Sequence, residues 1–577
     1  MKFKCYVRSV KIAVIVATLQ PLVPLMGVAA NAAEIRTSEN VSIKEIRPEV
    51  GGINAAVVSE HPLASQIGYD VLKAGGNATD AAVAMAASLA VVRPHMNSVG
   101  GDTFALFYDA KSGEITALNS SGKAAELATP EFFKAQGLSR IPFTGPLTVT
   151  VPGTVASWEA ALDRYGTMSL SQALQPAINI ADGGFMVSST LAADLSKAGP
   201  RLNDAGKAIY YPGNKPLQAG ELLKSPDLAA SLKTIAEDGA SAMYTGRLGK
   251  KIAAFIKDKG SPLRASDFAS FKPEWTTPAS IPFYGKHVYT VRPNSQGIVL
   301  LQMLSMAQSL PVKQMGQNSA ELLHHLIEIT RIAFADRDRW VADPAYTDVP
   351  VNSLLDSDYL AKRATLIGDK ASGDYISGLT IPDDSGALLN EDGDTVFLMV
   401  VDKDGNAVSW VQSLFSSFGS NLLVPGTGIV LHNRGAGFSL DDGHPNQIAP
   451  GKRPFHTLMA AMMTDADGKF EMAIGTPGGS GQPQFITQAL INSQVFDMSP
   501  QQAIESSRYR IGSGTDVIID ERLPGPVQQA LADKGHDVHL SESWVAVFGS
   551  LQMIQRQPNG VLRTGADMRR EATALAY

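Results

Sequence analysis

At residue 395 the chain changes character across a single peptide bond. Residues 372–394 are rich in glycine and acid, including Asp383-Asp384-Ser385-Gly386 and Glu391-Asp392-Gly393-Asp394, with little apolar periodicity. Such a stretch reads as an exposed, mobile segment. Val396-Phe397-Leu398-Met399-Val400-Val401 then runs apolar for six residues of strong β propensity. Asp402-Lys403-Asp404-Gly405-Asn406 reads as a turn and Ala407 to Gln412 as a second strand. The boundary therefore predicts a buried hairpin whose first residue is Thr395.

A threonine in that place has a specific chemical use. Cutting the Asp394–Thr395 bond would give Thr395 a free α-amine beside its own hydroxyl. Such an amine has an unperturbed pKa of about 8, which enclosure lowers. It can serve as general base for the hydroxyl, the N-terminal-amine form of nucleophilic catalysis. The cut can be intramolecular, with the hydroxyl attacking the Asp394 carbonyl and water resolving the ester. A strand end holds a nucleophile more firmly than a loop. Position alone does not select this reading, because threonine commonly starts strands.

A length of 577 residues allows several domains or one large layered α/β body. With 44% hydrophobic and 18% charged residues there is ample material for a core. The formal net charge of −7, without a basic stripe, gives no support for nucleic-acid binding and favours a small or polar substrate. Lys2, Lys4, Arg8 and Lys11 precede a mostly apolar run from Ile12 to Val28, and Ala30-Asn31-Ala32 follows. This is the pattern of a secretory signal peptide cleaved after Ala32, with Pro21 and Pro24 arguing against a membrane anchor. The expected destination is the periplasm or the exterior, with no membrane association once the leader is gone. The single cysteine, Cys5, lies in that leader, so the mature chain has no disulfide or thiolate metal site.

Short strands are expected at Asn54–Ser59, Thr103–Tyr108 and Ile115–Leu118, and a helix over Pro62–Ala74 ended by Gly75-Gly76. Thr79-Asp80 opens an Ala-rich helix that is apolar on nearly all sides and so buried. Helical patterns dominate 169–259 and 319–340.

Five segments resemble the γ-glutamyltransferase family, in the right order. Asp394 to Val408 resembles its processing site and following hairpin, and Gly475-Thr476-Pro477-Gly478-Gly479-Ser480 its oxyanion loop. Gly75 to Ala84 and Val151-Pro152-Gly153-Thr154-Val155-Ala156 resemble its large-subunit signatures, and Lys452-Arg453-Pro454 a further triplet. The resemblance implies a four-layer αββα sandwich of the N-terminal-nucleophile type (α/β, α+β in its segregation) and an autocleaved precursor. Its large chain would be 33–394 and its small chain 395–577, held as a heterodimer, acting on a small-molecule amide without cofactor or metal. It implies Thr395 as nucleophile, Ser413 as the hydroxyl that orients it, and the Gly478 and Gly479 amides as the oxyanion pair. Loss of one such donor typically costs about 3–4 kcal/mol of transition-state stabilisation. The nominal activity would be glutathione hydrolysis and γ-glutamyl transfer.

The specificity residues depart from the family. Ser121 stands where the family has the arginine that holds the α-carboxylate, Gly437 where it has the ammonium acceptor, and Phe415 where it has an asparagine. His456-Thr457 replace its serine pair, and the loop from Phe438 to Lys452 is too short for a lid. Each lost charge-assisted contact is worth about 1.5–3 kcal/mol, so a free γ-glutamyl group should bind weakly. The alternative substrates are oxamate-type, glutaryl or cephalosporin-type acyl amides, with Arg434 and His456 recognising a differently placed carboxylate or carbonyl. A non-catalytic exported binding protein is the reading from another class. His324, His325 and Glu328 lack a third metal ligand in sequence and read as a helix surface. Asp402–Asp404 is too short for a calcium loop.

Overall fold

In the computed structural model, which describes residues 45–379 and 393–577, the Thr395 hairpin lies inside a seven-stranded antiparallel sheet. Its spatial order is Thr573–Ala576, Ala56–Ser59, Asp394–Val401, Ala407–Phe415, Asp102–Asp109, Glu114–Ser120 and Glu274–Thr276. The leader, Cys5 and the acidic run 380–392 lie outside the described residues.

Why the Thr395 strand reads apolar throughout follows from its two faces. Val396, Leu398 and Val400 pack with Val408 and Trp410 into a core shared with the helices Pro62–Lys73, Ala78–Val92 and Leu170–Gly183. Phe397, Met399 and Val401 point the other way, into a second seven-stranded antiparallel sheet. That sheet runs Val50–Gly52, Leu562–Ala566, Gln552–Arg556, Phe470–Gly475, Ala461–Thr464, Lys286–Thr290 and Ala279–Phe283. The helices Gly297–Gln308, Ala320–Trp340 and Gln482–Gln494 belong to the core on its outer side. Successive side chains of a strand alternate faces, so a strand covered on both sides must be apolar at every position. The four-layer αββα arrangement expected from the sequence is the one observed.

The Ala-rich helix is buried at all fifteen positions, Ala78–Val92. Its cap is Asn77, two residues before the expected Thr79: the Asn77 side chain accepts from the Thr79 and Asp80 amides, and Asp80 returns a bond to the Asn77 amide. The hairpin turn closes on the same helix. Asp402 accepts from the Asp404 and Asn406 amides and the Asn406 side chain, all at 3.0 Å, and from the Ala78 amide at 3.0 Å. Its carboxylate is spent on the turn.

Two expectations need correction. The second hairpin strand continues past Gln412 to Phe415, which places Ser413 opposite Thr395. The described start of the acidic segment is tied down rather than mobile: Tyr375 Oη donates to Glu328 at 2.6 Å, and Trp340 Nε1 donates to Ser377 Oγ at 3.1 Å. No helix of the described residues is long and apolar enough to cross a membrane.

Candidate active site

Register alone builds the centre of the site. Thr395 pairs with Ser413, and Ser413 pairs with Asp102 on the next strand. Residues directly opposite across antiparallel strands have Cβ atoms about 4.5–5.5 Å apart, so the three side chains form a row on one face. Gly101, beside Asp102, has no room for a side chain: a Cβ there would lie 2.6 Å from the Ser413 carbonyl oxygen.

The hydrogen bonds along this row have a direction. Thr395 Oγ1 donates to Ser413 Oγ at 3.1 Å, and Ser413 Oγ donates to the carbonyl oxygen of Asp394 at 2.7 Å. The Phe415 N–H donates to the same Ser413 oxygen at 2.7 Å. A hydroxyl has one proton and two lone pairs, and Ser413 uses all three. Phe415 takes a φ of 79°, a strain of roughly 1–3 kcal/mol for a residue with a Cβ. Thr395 is 1% exposed. The Thr395 hydroxyl is thus linked through Ser413 to the carbonyl that precedes it, and that carbonyl already accepts a hydrogen bond.

The glycine loop abuts Gly393, the residue before Asp394. A Cβ at Gly393 would lie 3.1 Å from Gly479 Cα and 3.3 Å from its nitrogen. Gly478 and Gly479 have φ values of 133° and 56°, which a side chain would resist. Neither amide has an acceptor among the described residues, an unusual state for buried N–H groups. Gln296 Nε2 braces the loop by donating to the Thr457 and Gly479 carbonyls at 2.8 and 2.9 Å, and Arg337 Nη1 donates to Ser480 Oγ at 3.1 Å. Two unspent amides beside a polarised carbonyl are what an oxyanion requires.

At the far end of the row Asp102 gathers a charged cluster. His432 Nδ1 and His456 Nε2 lie 3.2 and 3.3 Å from its Oδ2, and the Gly122 amide donates to its Oδ1 at 3.0 Å. Burial works to raise the Asp102 carboxyl, but His432 and His456 outweigh it and hold it well below the usual carboxylate range. Arg434 Nε is 4.0 Å from the shared oxygen, and its guanidinium stacks 4.2 Å over the Phe415 ring. Among the described residues its one hydrogen bond runs from Nη1 to Thr457 Oγ1 at 3.3 Å, and Nε and Nη2 make none. Burial pushes this arginine down to about 9 against the pull of Asp102.

The remaining expected pocket residues divide. Phe415, Arg434 and Thr457 meet around that guanidinium. Ser121 is nearby but engaged, accepting from Asn294 Nδ2 at 3.1 Å while its carbonyl takes Arg453 Nε. His456 is corrected: Nε2 serves Asp102 and Nδ1 accepts from the Leu458 amide at 3.2 Å, so neither nitrogen faces a ligand. Burial first, then Arg434, depress it to about 3 against Asp102, and the ring is a neutral support.

A sequence-family description of gamma-glutamyltranspeptidase matches residues 64–577. The chain belongs to the γ-glutamyltranspeptidase family. Its members are enzymes of the N-terminal-nucleophile hydrolase class, and so is this chain. The glutathione hydrolase-like YwrD proenzyme of Bacillus subtilis (strain 168) is 38% identical over 532 residues, covering 91% of this chain and 98% of that one. The acylase ACY 1 proenzyme of Pseudomonas sp. (strain SE83) is 36% identical, covering 91% and 94%. The solved cephalosporin acylase from Bacillus halodurans superposes with a TM-score of 0.86 at 34% identity, covering 93% of this chain and 98% of its own.

Sequence reasoning missed Asp102 and His432. The signal available for Asp102 was the Gly100-Gly101-Asp102 run just before a strand; for His432 there was none. It also misjudged His324 and Glu328, which are buried, not on a helix surface. A third group, His536, brings its ligating atom within 4.8 Å of theirs. The hydrogen bonds there run from Arg331 Nη1 to His536 Nδ1 at 3.2 Å, between His536 Nε2 and His324 Nδ1 at 2.8 Å, and between His324 Nε2 and the Gly368 carbonyl at 2.8 Å. Read from that last acceptor, each imidazole donates through Nε2 and accepts through Nδ1. A metal on His536 Nε2 would move its proton to Nδ1, facing the Arg331 guanidinium donor to donor. This cluster is a hydrogen-bond chain.

Proposed function

We propose that the chain cleaves itself between Asp394 and Thr395 and then hydrolyses amides through an acyl-enzyme on Thr395. The observation that carries the reading is the directed path from Thr395 Oγ1 through Ser413 to the Asp394 carbonyl, with the Gly478–Gly479 loop against Gly393. Attack on that carbonyl transfers the Asp394 acyl group from nitrogen to oxygen, and water releases it. The two products, 33–394 and 395–577, stay together, because the Thr395 strand is hydrogen-bonded between Ala56–Ser59 of one and Ala407–Phe415 of the other. The freed amine then serves as base for the Thr395 hydroxyl, Ser413 orients it, and the Gly478 and Gly479 amides receive the oxyanion. That relatives carry the word proenzyme in their names supports the cleavage. Export behind a cleaved leader, with the periplasm or exterior as destination, belongs to the same reading.

A γ-glutamyl amide or a similar acyl amide is the substrate class, and the pocket favours the second. Position 121 supplies a serine hydroxyl already engaged by Asn294, while positive charge stands instead at Arg434, across Asp102 from Gly122. Arg434, Thr457 and Phe415 form the acyl-side wall, with Ser121 and His456 behind it. Intact-mass measurement of the purified protein, then incubation with glutathione, a γ-glutamyl anilide, oxamate and glutaryl amides, tests the reading. Two chains parting at Asp394/Thr395 and hydrolysis of one panel member are expected. A single uncut chain, inert to all four, would replace the hydrolase with an exported binding protein.

A further inference from the structure

A second arginine meets the residue that precedes Thr395. Arg570 sits between the strands Leu562–Ala566 and Thr573–Ala576, and its side chain is 8% exposed. Its Nη2 donates to Asp394 Oδ1 at 3.2 Å, and its Nη1 contacts Met96 Sδ at 3.4 Å. The neighbourhood is enclosed and charged. Arg93 is fully buried, with Nη1 3.1 Å from Glu571 and Nη2 3.9 Å from Glu60. Burial pushes the Glu60 carboxyl up to about 7, opposed by the charges of Arg570 and Arg93. Among the described residues, Asp394 is thus the one carboxylate to which Arg570 makes a hydrogen bond.

Asp394 has a double position. In self-cleavage Thr395 Oγ1 attacks its carbonyl carbon, the bond to the Thr395 nitrogen breaks, and the hydroxyl proton passes to that nitrogen as the amine is freed. The intermediate is an ester joining Thr395 Oγ1 to the aspartyl acyl group. Every later acyl-enzyme is an ester at the same oxygen, before the same Gly478 and Gly479 amides. The aspartyl group is therefore the first acyl group this site holds, and its β-carboxylate, two carbons beyond the acyl carbon, lies on Arg570. Water then hydrolyses the ester, giving the Asp394 carboxylate and restoring the Thr395 hydroxyl. When residue 394 leaves the pocket, Arg570 is left without its hydrogen-bonded anion.

We infer that Arg570 is a specificity-determining residue of the mature acyl pocket. It selects acyl groups that carry a carboxylate two carbons from the scissile carbonyl, as a succinyl monoamide does. The inference rests on the self-cleavage proposed above. It differs from the Arg434 reading in the residue and in fixing an acyl length.

The test compares succinyl and butyryl 4-nitroanilides, equal in length with carboxylate or methyl at the end, on the purified, cleaved enzyme. The wild type should prefer succinyl in kcat/KM by about ten- to a hundredfold, the range of one charge-assisted hydrogen bond. In Arg570→Ala this ratio should collapse toward one, and Arg570→Lys should restore part of it. A ratio retained in Arg570→Ala, or no preference in the wild type, overturns the inference and leaves the hydrolase standing. Should Arg570→Ala fail to fold or to cleave, inhibition of the wild type decides. Succinate should compete at concentrations at least about tenfold below butyrate, and equal inhibition overturns the inference. If neither anilide nor any amide of the wider panel is hydrolysed, the hydrolase reading falls with it.

Discussion

Two buried clusters in this molecule are built from the same parts, an arginine, two histidines and a carboxylate, and they are completed differently. Around Glu328, Arg331 pairs directly with the carboxylate, donates to His536 and the Asp516 carbonyl, and lacks a partner only at Nε. Glu328 also accepts from the Ser372 amide and Tyr375 Oη. Around Asp102 the carboxylate is taken by His432 and His456, and Arg434, 4.0 Å away, keeps two nitrogens without hydrogen bonds among the described residues. Buried polar groups without partners carry a desolvation cost that folding alone would select against. Among the described residues the finished cluster shares no hydrogen bond with Thr395 or Ser413. The unfinished one stacks on Phe415, whose amide holds Ser413. Composition of a cluster says little about its role; which bonds are left open says more.

The contrast can be broken by substitution. Thr395→Ala should have the largest effect, leaving one uncut chain by intact mass and lowering turnover by about a thousandfold or more, with both clusters intact. Cleavage in that variant would detach the Asp102 cluster from any nucleophile. Next in size, Arg331→Leu leaves Glu328 buried without its cation, a loss of about 3–5 kcal/mol. The melting temperature should fall while KM for the best panel amide holds; a KM change instead would make the Glu328 cluster functional. Arg434→Met should do the reverse, raising KM about ten- to a hundredfold for a carboxylated acyl amide. Stability should hold or rise, since burial already disfavours that charge. A variant that melts early with KM unaltered would make Arg434 a structural residue.

Smaller effects sharpen the same comparison. His536, depressed by burial and then by Arg331, and His456, depressed by burial and then by Arg434, both sit at about 3 against 6.5 when unfolded. The unfolded chain then binds more protons than the folded one between those values. Their contribution to stability is complete above pH 6.5 and is lost as pH falls toward 3. His536→Gln should flatten this acid limb of the melting curve, and an unaltered limb would mean the imidazole is not held neutral by its cluster. Smallest of all, micromolar zinc should leave the melting temperature where EDTA leaves it. A zinc-dependent rise lost in His536→Gln would show that the chain of hydrogen bonds gives way to a metal.

Much of the fold could be read along the chain. An uninterrupted apolar run at 396–401 requires a strand covered on both faces, and an alanine helix without a polar side requires burial. Both requirements follow from residues within a few positions of one another. Thr395, Ser413 and the glycine loop could be named as candidates because each was read from its own stretch of chain and that stretch's resemblance to the family. The helix Ala320–Trp340 was misread for the same reason: His324, Glu328 and Arg331 look like a wet face until His536, Ser372 and Tyr375 arrive from elsewhere in the chain.

By itself, then, the sequence determined the buried hairpin, the all-round burial of the alanine helix and the place of Thr395 at the boundary, because local pattern decides what each segment must bury. Only the tertiary structure decided that Asp102 completes the row begun by Thr395 and Ser413, that His456 turns inward, that Arg434 keeps Nε and Nη2 without hydrogen bonds among the described residues and that Arg570 meets Asp394. Those outcomes depend on register between strands far apart in sequence and on which polar groups find partners once water is excluded, and neither is written in the neighbours of any one residue.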